Sequence, residues 1–366
     1  MRPFNPLCFV AVLGSFIATP TFVDAQRPIT LQDVSEGLPE IRADEPIAAE
    51  YSAKRAAQYL DRSALNWQKT KKCATCHTNL FYLAARPALG GIQPDSGEVR
   101  SFYEDYRKVR WKKKAPREAQ GFWPIVVGAG RTCHDAQATG DLSEVAQEVL
   151  DIMWTVQRED GGWNWPDCDY APLEIDDHYG VTIAALAVGL APDEYANRPQ
   201  ARSGLEKLRR YFDNNPPKSL HHRAMLAWCS VRVDGIATEA QRNETLAELL
   251  ALQSEDGGWS TAALLSDWKG LSRDDGRPLD TKTSDGYGTG FVMVVARELG
   301  LPAEDGRLRR GVDWLRSNQR ESGKWFTPSP VNECGNLISN VGSAYAILAL
   351  QACGELPGEI FGQTKR

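Results

Sequence analysis

Apolar side chains recur along most of this chain with the period of an α-helix. They are spaced three or four residues apart in twelve stretches, which places them on one face of each helix. The stretches come in pairs separated by turn residues, so the pattern predicts six helical hairpins. Their predicted bounds are 51–67 with 75–85, 98–111 with 121–130, 142–156 with 177–190, 204–212 with 220–231, 245–252 with 285–299, and 308–317 with 339–353.

The second helix of the later pairs is the more apolar one and is rich in glycine and alanine, as at 181–190, 289–295 and 342–349. A helix that is apolar on every side is a buried helix. We therefore predict that the second helices line the inside of a ring and that the amphipathic first helices lie outside. All inner helices then run in one direction, and their first residues gather at one rim. The long polar insertion 260–283 interrupts the fifth hairpin and is predicted to be a lid over this rim.

A short motif returns three times at the end of an outer helix, and such a repeat is typical of modular helical architectures. Its glycine lies where a left-handed helix cap is expected. The glutamine amide can bond to backbone groups left unpaired at the turn, and the tryptophan can cover them. The three copies are Gln157-Arg-Glu-Asp-Gly-Gly-Trp163, Gln253-Ser-Glu-Asp-Gly-Gly-Trp259 and Gln319-Arg-Glu-Ser-Gly-Lys-Trp325.

The pattern Gln-x-x-x-Gly-x-Trp resembles the QW repeat of squalene–hopene cyclases and their relatives. The resemblance covers roughly residues 141–354. It implies the all-α, (α/α)6 toroid that these cyclases share with the protein prenyltransferase β subunits. In that fold the repeat is structural, so the resemblance predicts architecture rather than chemistry. The third copy also matches the longer family pattern, at Arg310-Gly311, Trp314-Leu315, Gln319, Gly323 and Trp325.

The first 25 residues have the features of a cleaved secretory signal: Arg2, the apolar run 7–17 and the small-residue site Val23-Asp24-Ala25. The run is too short to span a membrane, and no later stretch is long enough. Residues 26–46 hold three prolines and little periodicity, which predicts an extended lead-in before a single toroid domain at 47–366. The mature protein is thus expected to be periplasmic or otherwise exported, without a transmembrane segment.

Composition supports a large core and argues against one class of partner. The chain is 42% hydrophobic and contains 11 tryptophans, and its formal net charge of −6 argues against binding to nucleic acid. The one basic run, 107–117, could dock an acidic partner or be a solvated helix face.

A second motif, Cys73-Ala-Thr-Cys76-His77, has the spacing of a c-type haem attachment site. In such sites two thiols add to the haem vinyl groups and the adjacent imidazole reaches the iron. We predict one covalently bound haem c, held by Cys73 and Cys76, with His77 as an iron ligand. A disulfide between the two cysteines, a zinc site that includes His77, and a chance match are the alternatives. No second Cys-x-x-Cys completes a structural zinc site.

The predicted rim collects the remaining candidate residues. The first inner helix brings the Cys73–His77 motif, and the third brings Glu174, Asp176, Asp177 and His178. The fourth brings His221 and His222, and the fifth brings Asp285 and Tyr287. A sixth iron ligand is predicted to be His178, His221 or His222, or to be absent. The residues predicted to lie elsewhere or to be less well placed are His134, Met153 and Met225.

The segment Glu174-Ile-Asp176-Asp177 resembles the Asp-x-Asp-Asp motif of squalene–hopene cyclases, whose middle carboxylic acid protonates the substrate. The resemblance implies that role for Asp176. Clustered carboxylates can raise one another's pKa, which suits such an acid. This sequence departs from the family pattern in three ways: it has Glu174 in place of the first Asp, His178-Tyr179 after the motif, and one ring instead of two. The alternative is that Asp176 and Asp177 cap the inner helix, as Asp285 does in its hairpin.

Two functions follow from these observations. The first is an exported, haem-bearing toroid that transfers electrons or carries out redox chemistry with a partner protein. The second is a terpenoid cyclase-like or isoprenoid-binding protein without haem, whose apolar barrel cavity holds a small apolar molecule. In the second, carboxyl groups at the rim act on the ligand, and the candidates are Glu174, Asp176 and Asp177.

Overall fold

A computed structural model describes residues 27–112, 121–168, 170–332 and 337–356. The predicted signal peptide and residues 113–117 of the basic run lie outside these ranges. Within them the chain forms twelve α-helices and no β-strand. The helices are α1 (Ala53–Lys71), α2 (Asn79–Ala85), α3 (Glu98–Lys112), α4 (Phe122–Ala138), α5 (Glu144–Thr155), α6 (Asp177–Leu190), α7 (Pro199–Asn214), α8 (Leu220–Arg232), α9 (Glu239–Ala251), α10 (Gly286–Glu298), α11 (Gly306–Ser317) and α12 (Ile338–Ala352).

The even-numbered helices form a closed inner ring. Each packs against the next from α2 to α12, and α12 packs back against α2. The odd-numbered helices lie outside, each against one or two of the inner helices. Burial follows the same division: almost every residue of α10 and α12 is buried, whereas α7 and α11 bury one face only. The predicted (α/α)6 toroid is therefore confirmed, because the apolar period on each helix decides its place in the ring.

The rim at which the inner helices begin is called here the upper rim, and the helix bounds near it agree closely with the prediction. For example, α6 was expected at 177–190 and is found at Asp177–Leu190. The prediction for α2 was wrong at its start, since the helix begins at Asn79 and not at Thr75. The hydroxyl of Thr75 accepts a hydrogen bond from the backbone N–H of His77 at 3.2 Å, and such local bonds compete with helix formation. The Cys73–His77 motif therefore lies in the loop before α2.

The three Gln–Trp turns join outer to inner helices at the upper rim and have the same geometry. Each glutamine amide donates one hydrogen bond to a glycine carbonyl within its own turn and another to a carbonyl at the start of the next outer helix. The third turn closes the ring, because Gln319 also accepts a hydrogen bond from the N–H of Ser52, which caps α1. The donor–acceptor pairs are Gln157 with Gly161 and Gly204, Gln253 with Gly257 and Arg307, and Gln319 with Gly323 and Ser52, at 2.7 to 3.1 Å.

The tryptophan of each turn seals the end of the outer helix. Its indole N–H donates to a backbone carbonyl ten residues earlier, in or near the last turn of that helix, where carbonyls lack intrahelical partners. All three indoles are buried, with at most 1% of their surface exposed. The acceptors are Met153 for Trp163, Leu249 for Trp259 and Leu315 for Trp325, at 2.7 to 2.9 Å.

The insertion 260–283 lies over the upper rim beside α8 and α10. Its first residues are buried, and Thr261 bonds to Asp285, which caps α10. Its Trp268 ring packs 4.7 Å from the ring of His222 at the start of α8, measured between centroids. A small apolar cluster of Ala171, Leu265 and Val331 joins the insertion to two other loops at this rim. These contacts place the insertion as a cover over one side of the rim.

Candidate functional site

The upper rim brings polar residues from neighbouring inner helices into direct contact. The Sγ atom of Cys76, before α2, lies 2.6 Å from Oε1 of Glu174, before α6. The rings of His178 on α6 and His222 on α8 stack with their centroids 4.4 Å apart. The next contact joins α8 to α10, where Nε2 of His221 lies 2.8 Å from the Tyr287 hydroxyl. The candidate residues therefore follow one another around the rim in chain order.

Of the three acidic residues in its motif, Glu174 is the one whose carboxyl group contacts Cys76. It ends a tight turn in which the N–H of Glu174 donates to the carbonyl of Tyr170 at 3.0 Å. Burial raises the pKa of Glu174, and the thiol of Cys76 partly offsets this by donating a hydrogen bond. Burial, followed by the charge of Glu174, raises the pKa of Cys76 well above its ordinary value. The thiol therefore stays protonated beside a carboxyl group that can take up or release a proton.

The carboxylates of Asp176 and Asp177 form hydrogen bonds and ion pairs that stabilise the fold. The Oδ1 atom of Asp176 accepts from the N–H of Tyr179 as the cap of α6, and its Oδ2 atom pairs with Lys218 at 3.0 Å. Asp177 pairs with Arg158 at 2.6 Å and also accepts a backbone hydrogen bond. The capping role is thus realised for Asp176, while Asp177 instead fixes the turn before it. Neither carboxylate makes the thiol contact that Glu174 makes.

Asp285 occupies the equivalent cap of α10 in a far more enclosed place. Its carboxylate accepts hydrogen bonds from the N–H groups of Thr261 and Gly288 and from the Thr261 hydroxyl, at 2.7 to 2.9 Å. Burial raises its pKa to about 6, although these hydrogen bonds act in the opposite direction. The Thr327 side chain also hydrogen-bonds to Asp285. Because the carboxylate is enclosed by donors from Thr261, Gly288 and Thr327, we regard Asp285 as a structural cap.

Two stacked imidazoles form the middle of the rim. Burial, with a smaller effect of His222, lowers the pKa of His178 to about 3, and burial lowers that of His222 to about 4, so both rings are neutral. Within the described chain, neither ring nitrogen of His178 has a hydrogen-bond partner, nor does Nε2 of His222. Sequence reasoning named these histidines but missed Trp268, which packs on His222, because nothing in the insertion's polar pattern indicates a buried contact.

The two thiols of the Cys73–His77 loop point to different neighbours. Cys73 lies with Sγ 3.5 Å from the Tyr106 hydroxyl, whereas Cys76 faces Glu174. The two are separate thiols, so the disulfide alternative is not realised. The His77 ring is buried edge-on against Trp67 at 4.4 Å, with Nδ1 2.9 Å from the hydroxyl of Thr78. As folded, this loop does not fit a haem bridging both cysteines.

No group of three or more His, Cys, Asp or Glu side chains within the described ranges is placed to hold a metal ion. His134 lies near the end of α4 and is therefore at the rim opposite Cys76. Its Nδ1 atom is 3.5 Å from the Asp135 carboxylate. No helix in the described part of the chain is both long and apolar enough to cross a membrane.

Aromatic side chains fill the interior below the rim. The Tyr345 ring on α12 lies 5.1 to 5.5 Å from rings on α2 and α10, and its nearest neighbours are Phe81, Tyr287 and Phe291. The apolar barrel is thus occupied by its own side chains at this level instead of forming an open cavity. The hydroxyls of Tyr179 and Tyr345 are buried among these rings without a hydrogen-bond partner in the described chain.

The open space at the rim lies instead under the insertion. A cavity of about 640 Å³ is bounded by the insertion, which supplies Arg273 and Arg277, and by the segment 326–332. A second cavity of about 480 Å³ shares Asp285 and Phe326 with it. Both volumes are within the range of small-molecule sites. The lining of these two cavities does not include Cys73, Cys76 or His77.

Comparison with known proteins supports the fold more than a function. No protein-family model matches the chain. The sequence is similar to a probable squalene–hopene cyclase of Sinorhizobium fredii, with 25% identity over 280 residues. The match covers 62% of this chain and 40% of the relative, so the chain spans less than half the length of that protein. The similarity and the all-helical ring agree on a cyclase-like α/α toroid.

Proposed function

We propose that this protein binds a small apolar molecule of the isoprenoid class at the upper rim, beneath the 260–283 insertion. The observation that carries the proposal is the cavity of about 640 Å³, which lies at that rim and combines the Phe326 ring and several prolines with two arginines. Sites for small organic molecules combine apolar walls with a few polar groups in this way. The name of the similar cyclase refers to squalene and hopene, which are both isoprenoids.

Glu174 is the acid that we assign to any proton transfer at this rim. Asp176 matches the acidic position of the cyclase motif but is held by the cap of α6 and by Lys218. Glu174 makes no ion pair in the described chain, and burial raises its pKa, which suits a group that exchanges a proton. The apolar cluster of Ala171, Leu265 and Val331 joins the Glu174 turn to the insertion and to the 326–332 segment, which bound the cavity.

Ligand retention tests the binding step. Purified protein is incubated with squalene or farnesol delivered from cyclodextrin, passed through a desalting column, and extracted for gas chromatography with mass spectrometry. We expect about one molecule retained per chain, and a loss of more than half of it in Phe326→Ala. Phe102→Ala removes a similar half-buried ring from α3 and should retain the wild-type amount. No retention by the wild type, or equal retention by Phe326→Ala, would refute the proposal.

Covalent haem is the second candidate, and the motif Cys73-Ala-Thr-Cys76-His77 is the observation that favours it. The haem would be held by the two thiols, with His77 on the iron, and would supply one-electron chemistry with a redox partner protein. Since the thiols face different neighbours, attachment requires this loop to rearrange. The test is a pyridine haemochrome spectrum and an intact mass, on protein exported from a host that attaches haem. A mass equal to the bare polypeptide would exclude this candidate.

A further inference from the structure

The carboxyl group of Glu174 contacts a second cysteine in addition to Cys76. Cys168 lies across the same turn, and its N–H donates to the Glu174 carbonyl at 2.9 Å. Its thiol also hydrogen-bonds to the Glu174 side chain. Glu174 therefore contacts both cysteines, through its side chain and, for Cys168, also through its backbone carbonyl. The thiols of Cys76 and Cys168 thus share Glu174 as their hydrogen-bond partner.

Cys73 is closer to Cys76 in the sequence than Cys168 is, but its thiol does not contact Glu174. Its Sγ atom contacts the Ala74 carbonyl at 3.2 Å and the Tyr106 hydroxyl at 3.5 Å, on the α3 side of the loop. Cys76 turns the other way, toward the loop that precedes α6. A bridge between Cys76 and Cys168 would join these two loops directly, whereas a bridge between Cys73 and Cys76 would require one thiol to leave its neighbours.

We propose that Cys76 and Cys168 form a redox-active dithiol that closes to a disulfide across the upper rim. The site takes a small disulfide, such as oxidised glutathione, as its oxidant. Cys168 is the exposed member and Cys76 the buried one, so they have the roles of attacking and resolving thiol. This inference does not depend on the ligand proposed above, and it excludes a haem bridging Cys73 and Cys76.

The exchange balances in two steps. Cys168 gives up its proton to water, and its thiolate attacks one sulfur of the small disulfide, which forms a mixed disulfide and releases one glutathione thiolate that takes up a proton. The Cys76 sulfur then attacks Cys168, its proton passes to Glu174, and the second glutathione leaves and takes up that proton. Two protein thiols are oxidised to one disulfide, and one small disulfide is reduced to two thiols. Reduced glutathione in excess reverses both steps.

Thiol mapping of the full mature chain tests the pair. Protein is treated with oxidised or reduced glutathione, unfolded in guanidinium chloride with iodoacetamide present so that the buried Cys76 thiol is accessible, digested with trypsin and analysed by mass spectrometry. We expect the oxidised sample to lose alkylation at both Cys76 and Cys168 and to yield a linked peptide pair that contains them. Dithiothreitol should return both sites to alkylation. Retained alkylation of Cys76 with glutathione attached only to Cys168 would overturn the proposal.

Variants assign the bridge, because Cys73 and Cys76 occur in one tryptic peptide. Cys73→Ser should keep the linked peptide pair, whereas Cys76→Ser and Cys168→Ser should each lose it. A bridge between Cys73 and Cys76, or a linked pair that survives Cys76→Ser, would refute the assignment. Cys76 is fully buried, so Cys76→Ser can fail to fold; retention of the linked pair in Cys73→Ser then assigns the bridge to Cys76 by itself. None of these readouts requires isoprenoid binding, so the two proposals fail separately.

Discussion

The upper rim has two concentric sets of polar residues. They differ in whether their buried polar atoms have hydrogen-bond partners. In the outer set, the Gln–Trp turns, each glutamine amide and each indole N–H bonds to backbone carbonyls, and the same bonds occur three times. In the inner set, which consists of Cys76, Glu174, His178, His222 and Tyr287 at the starts of the inner helices, the residues change from helix to helix. Both ring nitrogens of His178 and Nε2 of His222 are buried there without a hydrogen-bond partner in the described chain.

This difference separates structure from function within one fold. A polar group that bonds to the backbone at equivalent points of each repeat stabilises the repeat and is expected wherever the fold occurs. A buried polar group without a partner costs free energy, so it persists where another interaction compensates for it. The inner set is therefore where a ligand or a chemical role is expected, and each prediction below probes one side of this contrast.

The largest effect is expected from the outer set. Trp259→Ala removes a fully buried indole and its bond to Leu249, so the free energy of unfolding should fall by about 3 to 5 kcal/mol. Trp268→Ala removes a half-buried indole from the insertion and should cost clearly less. Urea unfolding monitored by circular dichroism measures both. Equal losses in the two variants would mean that the turn tryptophans have no special structural role.

The next effect concerns the contact that closes the ring. Gly323 has φ 98°, and an added Cβ would lie 2.1 Å from the carbonyl oxygen of Arg55 at the start of α1. Gly300 has nearly the same φ of 92°, but its Cβ would meet nothing within 4 Å. We therefore expect Gly300→Ala to cost about 1 kcal/mol and Gly323→Ala about 2 to 4 kcal/mol. The difference in urea midpoints isolates the close approach, and identical midpoints would contradict it.

The outer set is predictable from sequence because its determinants are local. The triplicated Gln–Trp motif and the apolar period fix the hairpins, their number and the direction of the inner helices, so the (α/α)6 toroid follows. The start of α2 was missed because Thr75 bonds to its neighbour His77 in place of a helical partner. The inner set is harder, since the contact of Cys76 with Glu174 joins residues 98 positions apart. Motif spacing assigned Cys76 to haem and gave no sign of Cys168 as its neighbour.

The stacked histidines should make stability depend on pH. In the unfolded chain His178 titrates near its ordinary value of 6.5, but in the fold burial, together with His222, lowers its pKa to about 3. Nearby Asp176 acts in the opposite direction and Lys218 in the same one. As the pH falls below 6.5 the unfolded chain binds a proton at His178 that the folded state excludes, so the contribution of His178 to stability falls by about 2 kcal/mol by pH 5.

His178→Leu removes this titration and keeps an apolar side chain beside Phe212. We expect the variant to match the wild type at pH 7 within about 1 kcal/mol and to be more stable at pH 5 by about 1 to 2 kcal/mol. Urea midpoints at pH 5, 6 and 7 provide the measurement. Parallel curves for the two proteins would show that His178 is not held neutral by burial.

The smallest changes in stability are expected when an amide replaces the carboxyl group of Glu174 or, in a separate variant, that of Asp176. These two variants also test the inner set most directly. Glu174→Gln can still accept from the Cys76 thiol, so its free energy of unfolding should change by less than about 1 kcal/mol. Asp176→Asn weakens the cap of α6 and the pair with Lys218 and should cost about 1 kcal/mol. If the bound isoprenoid is transformed, product formation from squalene should be lost in Glu174→Gln and kept in Asp176→Asn. The reverse pattern would identify Asp176 as the proton donor, because an amide cannot donate the proton that a carboxylic acid donates.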